Sequence, residues 1–131
     1  MARPCSSHFS TFSRDCGAAL LEFVGTFVFL LLGFGGIQAV SSEERSTAPG
    51  ASSVEQFLYI ATAMGLSLLV SAWLFFRITG GLFNPNISLA LLLTGVIKPV
   101  RFVLYCIAQL VGAIAASGVV LALTPGPAAF G

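Results

Sequence analysis

Three long apolar stretches and one short one are separated along this chain by polar or glycine-rich segments. Residues 18–40 are apolar apart from Glu22 and Gln38, residues 54–76 form a second stretch, and residues 99–123 form a third. At a helical rise of about 1.5 Å per residue, each is long enough to cross a hydrocarbon layer roughly 30 Å thick. The short stretch, residues 85–94, reaches only about 14 Å and cannot. Its start is marked by Asn84-Pro85: asparagine accepts an orphan backbone N–H at the cap position, and proline costs nothing at the first helical position. Gly95 offers a left-handed stop, and Gly80 and Gly81 loosen the backbone ahead of it. A half-length apolar helix opening on a polar cap predicts a re-entrant element whose N-terminal end lies near mid-depth. Irregular backbone is tolerated there only where protein or a hydrated path surrounds it.

The segments between follow from the same pattern. Residues 1–17 are polar, carry Arg3 and Arg14, and are expected to form a mobile cytoplasmic tail. The first apolar stretch exceeds a signal peptide's apolar region of about 7–15 residues, so it reads as a first transmembrane helix. Residues 41–53, rich in Ser, Ala, Pro and Gly and holding Glu43, Glu44 and Arg45, predict a solvent-exposed connection. Thr124-Pro125-Gly126-Pro127 stops the last span and opens a short tail, residues 124–131. With the N-terminus cytoplasmic, Arg3, Arg14, Arg77, Lys98 and Arg101 fall inside and Arg45 alone outside, a positive-inside distribution. The expected fold is an all-α, multi-pass membrane protein of three transmembrane helices plus one re-entrant half-helix. The plasma membrane is the default location, since neither a cleavable leader nor a retention tail is evident.

Composition agrees. Of 131 residues 56% are hydrophobic and 8% charged, with mean hydropathy +0.97, whereas a soluble domain carries about 25% charged residues. A net charge of +1 makes nucleic acid an unexpected partner. Cys5, Cys16 and Cys106 form neither a disulfide framework nor a metal-ligand spacing, and His8 stands in the tail without carboxylate or thiol company. No catalytic constellation can be assembled: Glu22 is isolated and Asp15 lies in the tail. Gly80 and Gly81 lack the Lys-Ser/Thr ending of a phosphate loop. No enzyme, cofactor or metal is expected.

Spacing also separates inward from outward faces. Glu22, Gly25, Thr26, Phe29, Gly33 and Gly36 share one face of the first span. Small residues let helices approach closely, and a carboxylate in a span normally points into a bundle or a wet cavity. A position near the cytoplasmic interface, within reach of water, is the plainer reading of Glu22. On the third span Gln109, Gly112, Ala113 and Ala116 align, and on the second Met64, Ser67 and Ser71.

Gly80 to Ser88, reading Gly-Gly-Leu-Phe-Asn-Pro-Asn-Ile-Ser and followed by Leu-Thr-Gly, resembles the first signature loop of the aquaporin and aquaglyceroporin (major intrinsic protein) family, which usually reads Asn-Pro-Ala. Glu22 to Phe27 resembles the family's first-helix motif, and Ala108 to Ala113 resembles its later helix. The resemblance covers about residues 20–121 and only the first of the family's two inverted repeats. It implies a passive channel subunit for water or small neutral solutes such as glycerol, with only the first half of a pore. Asn84, Pro85 and Asn86, with Gly80, Gly81 and Leu82, would form the pore loop; Met64 and Phe29 would wall it; Glu22 and Gln109 would support it. Met64 stands where water-selective members commonly place an aromatic, although core filling explains it equally. The half-helix N-terminus would present partial positive charge, disfavouring cations and hydronium. Two departures matter: Asn86 replaces the family's alanine, and the second signature loop is missing. The implied partners are the lipid bilayer and other channel subunits, in a tetramer if a complete pore assembles. The alternatives are a non-conducting fragment that associates with full-length subunits and the inert product of a damaged gene.

Overall fold

The computed structural model describes residues 6–46, 53–124 and 126–130. They form four helices: α1 (Ser6–Ser46), α2 (Ser53–Thr79), α3 (Pro85–Leu93) and α4 (Pro99–Leu123). There is no strand among the described residues. The all-helical architecture with one short helix is the one expected, and three helices are long and apolar enough to cross a membrane.

The first helix departs from expectation at both ends. The stretch read as a mobile tail is helical from Ser6 onward, and residues 1–5 lie outside the described residues. The physical reason is an anchor: Asp15 is buried and paired with Arg101 of α4, which ties the polar segment to the bundle at that point. The segment read as a connection is helical as far as Ser46, because no helix breaker occurs before Pro49-Gly50. Residues 47–52 lie outside the described residues. The second helix continues three residues beyond Phe76 to Thr79, where Gly80 ends it, and the last helix runs from Pro99 to Leu123.

The short helix starts at Pro85 and ends at Leu93, one residue before the expected Thr94. Asn84 is extended (φ −145°, ψ 125°) and its side chain accepts from the Asn86 N–H at 2.9 Å, with Pro85 in the first turn. At the other end Val96 N–H donates to Leu91 O at 2.9 Å and Gly95 N–H to Leu92 O at 3.0 Å, with Gly95 at φ +75°. These paired bonds form a Schellman stop, which places Thr94 at the cap and the last helical residue at Leu93.

Helix α1 is the centre of the bundle, packed on one side by α2 and on the other by α4, with α3 lying against α4. Small residues make the close approaches. A side chain added at Gly112 would meet Phe23 O at 2.8 Å, and one at Gly36 would meet Ala63 Cβ at 2.6 Å. The buried side chains are largely polar or small, including Glu22, Thr26, Gln38, Ser71, Ser88 and Gln109, whereas Trp73, Ile114 and Leu123 are exposed. That inverted distribution suits a bundle whose surroundings are as apolar as its side chains and whose association relies on packing and hydrogen bonds.

Candidate functional site

The chain leaves α2 through a glycine turn. Gly80 (φ +97°) and Gly81 (φ +61°) occupy conformations that side chains rarely adopt, and a Cβ added at Gly81 would lie 3.5–3.6 Å from Ala72 and Phe76 backbone atoms. The Gly80 N–H donates to Phe76 O at 3.1 Å and the Gly81 N–H to Thr79 Oγ1 at 3.2 Å. From α4 the Tyr105 hydroxyl donates to Thr79 O at 3.3 Å, tying the turn to a third helix.

Phe83, next in the loop, has φ +47° and is the only non-glycine in that region among the described residues. A left-handed conformation costs a side-chain-bearing residue roughly 1–2 kcal/mol. Two groups of contacts hold it there. The Glu22 carboxylate accepts the Leu82 N–H on Oε1 (3.2 Å) and the Phe83 N–H on Oε2 (3.0 Å). The Phe83 ring stacks with Phe29 at 6.4 Å, meets Phe75 edge-on at 5.9 Å, and fills the space above Gly25 that any Cβ would occupy.

Glu22 is fully buried and accepts a third hydrogen bond, from Gln109 Nε2 at 2.9 Å. The same amide nitrogen donates to Ser88 Oγ at 3.1 Å. Ser88 Oγ lies 3.2 Å from Asn84 O and 3.4 Å from Gln109 Oε1; its single hydrogen suits the nearer acceptor. One connected network thus runs from α1 through the loop and α3 to α4.

This network decides what the loop offers to a solute. No described group donates to the carbonyl oxygens of Gly80, Gly81 or Leu82, which remain a run of free acceptors. The exposed Asn84 commits its Oδ1 to capping, so its Nδ2 is the uncommitted donor at the electropositive start of α3. Pro85 and Asn86 lie in the first turn beside it. Acceptors followed by a fixed donor can exchange hydrogen bonds with a small polar molecule, while the helix end opposes cations.

A family model described as "Major intrinsic protein" matches residues 8–130. The chain belongs to the major intrinsic protein family. Aquaporin-1 of Laccaria bicolor is 61% identical over 123 residues, covering 93% of this chain and 40% of that protein. Aquaporin-2 of Botryotinia fuckeliana is 47% identical over 111 residues, covering 83% of this chain and 29% of that protein. Probable aquaporin-3 of Gibberella zeae is 43% identical over 124 residues, covering 94% of this chain and 43% of that protein. The chain therefore spans less than half the length of these relatives. Three apolar helices in a major intrinsic protein make it an integral membrane protein.

Within this major intrinsic protein the residues singled out from sequence fall into two groups. Glu22, Gly80, Gly81, Leu82, Asn84, Pro85, Asn86 and Gln109 converge on the loop and its support, and Phe29 reaches it through Phe83. Met64 instead sits half-buried against α1: a Cβ on Gly33 would lie 2.5 Å from its sulfur. Several residues that sequence reasoning passed over belong to the same architecture. Ser88 completes the network, and its place one helical turn after Asn84 was the available signal. Asp15 lies seven residues before Glu22 and shares its inward face, which could have marked it as buried. Gln38 donates to Pro127 O at 3.1 Å and accepts from the Ala129 N–H at 2.9 Å, and Phe34 stacks on Phe130 at 4.5 Å. Residues 126–130 thereby fold back on α1.

Proposed function

We propose that this chain supplies one half-helix and one wall of a passive channel for water or small neutral solutes such as glycerol. The observation that carries the reading is the bidentate hold of Glu22 on the Leu82 and Phe83 N–H groups, which leaves three successive carbonyls and the Asn84 amide unengaged. A solute would trade its bulk hydrogen bonds for a file of fixed ones. Protons and cations would be opposed by the positive end of α3. Phe29 and Met64 would supply apolar wall, and the mobile thioether of Met64 would give a softer aperture than a rigid ring. Passive conduction of this kind needs oriented dipoles and no nucleophile.

The basic residues favour a cytoplasmic N-terminus, so α3 enters from the cytoplasmic side, in the plasma membrane by default. A single half-helix encloses no path, and the opposing half would come from a further inverted repeat or another channel subunit. Two identical copies insert with the same orientation and are poorly suited to oppose each other. The second reading, a non-conducting fragment that associates with full-length subunits, is favoured by the outward apolar residues of α2, among them Trp73, Leu74 and Phe76.

Osmotic swelling of proteoliposomes, with the chain alone and with a full-length relative, separates the readings. Water or glycerol flux that falls in Asn84→Ala and Glu22→Ala supports conduction through this loop. Flux indifferent to both substitutions refutes it. Absence of flux together with co-purification of the relative supports the second reading.

A further inference from the structure

A second polar feature lies at the N-terminal end of α4, away from the loop. A half-open cavity of about 280 Å³ is lined by Arg14 and Asp15 of α1 and by Val96, Ile97, Lys98 and Arg101. Three cations face one carboxylate there. Arg101 places both Nε (2.8 Å) and Nη2 (2.6 Å) on the same Asp15 oxygen, which offsets that carboxylate and leaves Nη1 uncommitted. The side chains of Arg14 and Lys98 have no ion pair or hydrogen-bond partner among the described residues.

The backbone adds to this charge. Lys98 is the cap residue of a 25-residue helix, yet its side chain makes no capping bond, and Pro99 follows it. The Val100 and Arg101 N–H groups donate to no described acceptor, so the positive end of α4 opens beside the same cations. Val96 is exposed and Ile97 half-buried, giving the cavity an apolar side. Arg14 and Arg101 flank the ends of two apolar spans, the level at which a bilayer carries its headgroups.

We propose that this cavity binds the phosphate of an anionic lipid headgroup. Arg14, Lys98 and the first-turn N–H groups of α4 receive the phosphate oxygens, while Val96 and Ile97 face the lipid's apolar part. Basic pockets between transmembrane helices are suited to such headgroups, each cation adding to an attraction that weakens with salt. The site is independent of conduction, and its readout is lipid retention, so its failure would leave the channel reading untouched.

The test is native mass spectrometry of the 131-residue chain released from non-ionic detergent with phosphatidylglycerol or phosphatidylcholine. Wild type is expected to retain phosphatidylglycerol preferentially. Arg14→Gln and Lys98→Gln should each weaken that retention by about five-fold, and Lys98→Arg should preserve it. Arg77→Gln, which removes an exposed charge from the last turn of α2, should leave it unchanged. Circular dichroism checks that each variant keeps its helices, and the charge-conserving variant keeps the comparison informative if a glutamine variant does not. Equal retention of both lipids, or equal loss in Arg77→Gln, overturns the proposal. Stabilisation by inorganic phosphate alone, without lipid preference, would assign the cavity to the free anion and overturn the lipid assignment.

Discussion

Glu22→Gln is the sharpest test of the loop's support, because it keeps shape and removes acceptor capacity. The carboxylate accepts three bonds on two oxygens, from the Leu82 N–H, the Phe83 N–H and Gln109 Nε2. An amide offers one oxygen; at the Oε2 position it keeps the bonds from Phe83 N–H and Gln109 Nε2, and its NH2 group then faces the Leu82 N–H. The Leu82 N–H is then a buried donor without an acceptor, and the two bonds that remain are made to a neutral oxygen. Hydrogen bonds to a charged acceptor contribute about 1.5–3 kcal/mol each, and a buried orphan donor costs about 1–3 kcal/mol. The left-handed Phe83, roughly 1–2 kcal/mol above an ordinary conformation, keeps its bond only to a neutral acceptor, beside an unpaired Leu82 N–H. A net loss of about 3 kcal/mol in local opening corresponds to roughly 150-fold faster amide exchange. Hydrogen-exchange mass spectrometry on the detergent-solubilised chain should show this over residues 80–88, with exchange at the middle of α4 unchanged. Exchange at residues 82 and 83 within about three-fold of wild type would refute the argument that the carboxylate holds the loop.

The remaining expectations concern packing and anchoring. Gly25→Ala should destabilise the chain by about 1–3 kcal/mol through collision with the Phe83 ring. Gly17→Ala, with nothing within 4 Å, should instead stabilise it by up to about 1 kcal/mol; thermal unfolding in detergent compares the two. Arg101→Gln strands the buried Asp15 and should lower the melting temperature more than Asp15→Asn together with Arg101→Gln, since the paired change leaves no unpaired carboxylate. Arg101 is about a third exposed, so a coupling of about 1–2 kcal/mol is expected in the double-mutant cycle. Gln38→Ala removes both bonds to residues 126–130 and should hasten their proteolytic trimming, read by intact-mass analysis over a digestion time course.

The half-helix was readable because its determinants are local. Asn84, Pro85 and Gly95 act on backbone within a few positions of themselves, and each does in space what its chemistry suggests. The inward face of α1 was readable from spacing alone, since Glu22, Gly25, Thr26 and Gly33 recur at helical intervals and are buried. The helix ends of α1 were not, because a polar helix resembles a polar tail until its partner is known. Asp15 finds Arg101 across 86 positions, a pairing with no local mark. Phe83 was equally hidden: nothing about a phenylalanine announces a left-handed backbone, which here depends on a carboxylate 61 positions earlier.

The order of synthesis gives the Glu22 network a temporal dimension. Ribosomes deliver the carboxylate first, the loop some 60 positions later, and Gln109 last, 87 positions after Glu22. Gln109 and Tyr105 both lie on α4, so a chain that ends before Pro99 keeps the carboxylate and the two loop N–H groups it holds but lacks the other two ties. Such a truncated chain should hold a half-latched loop, and α4 completes the closure.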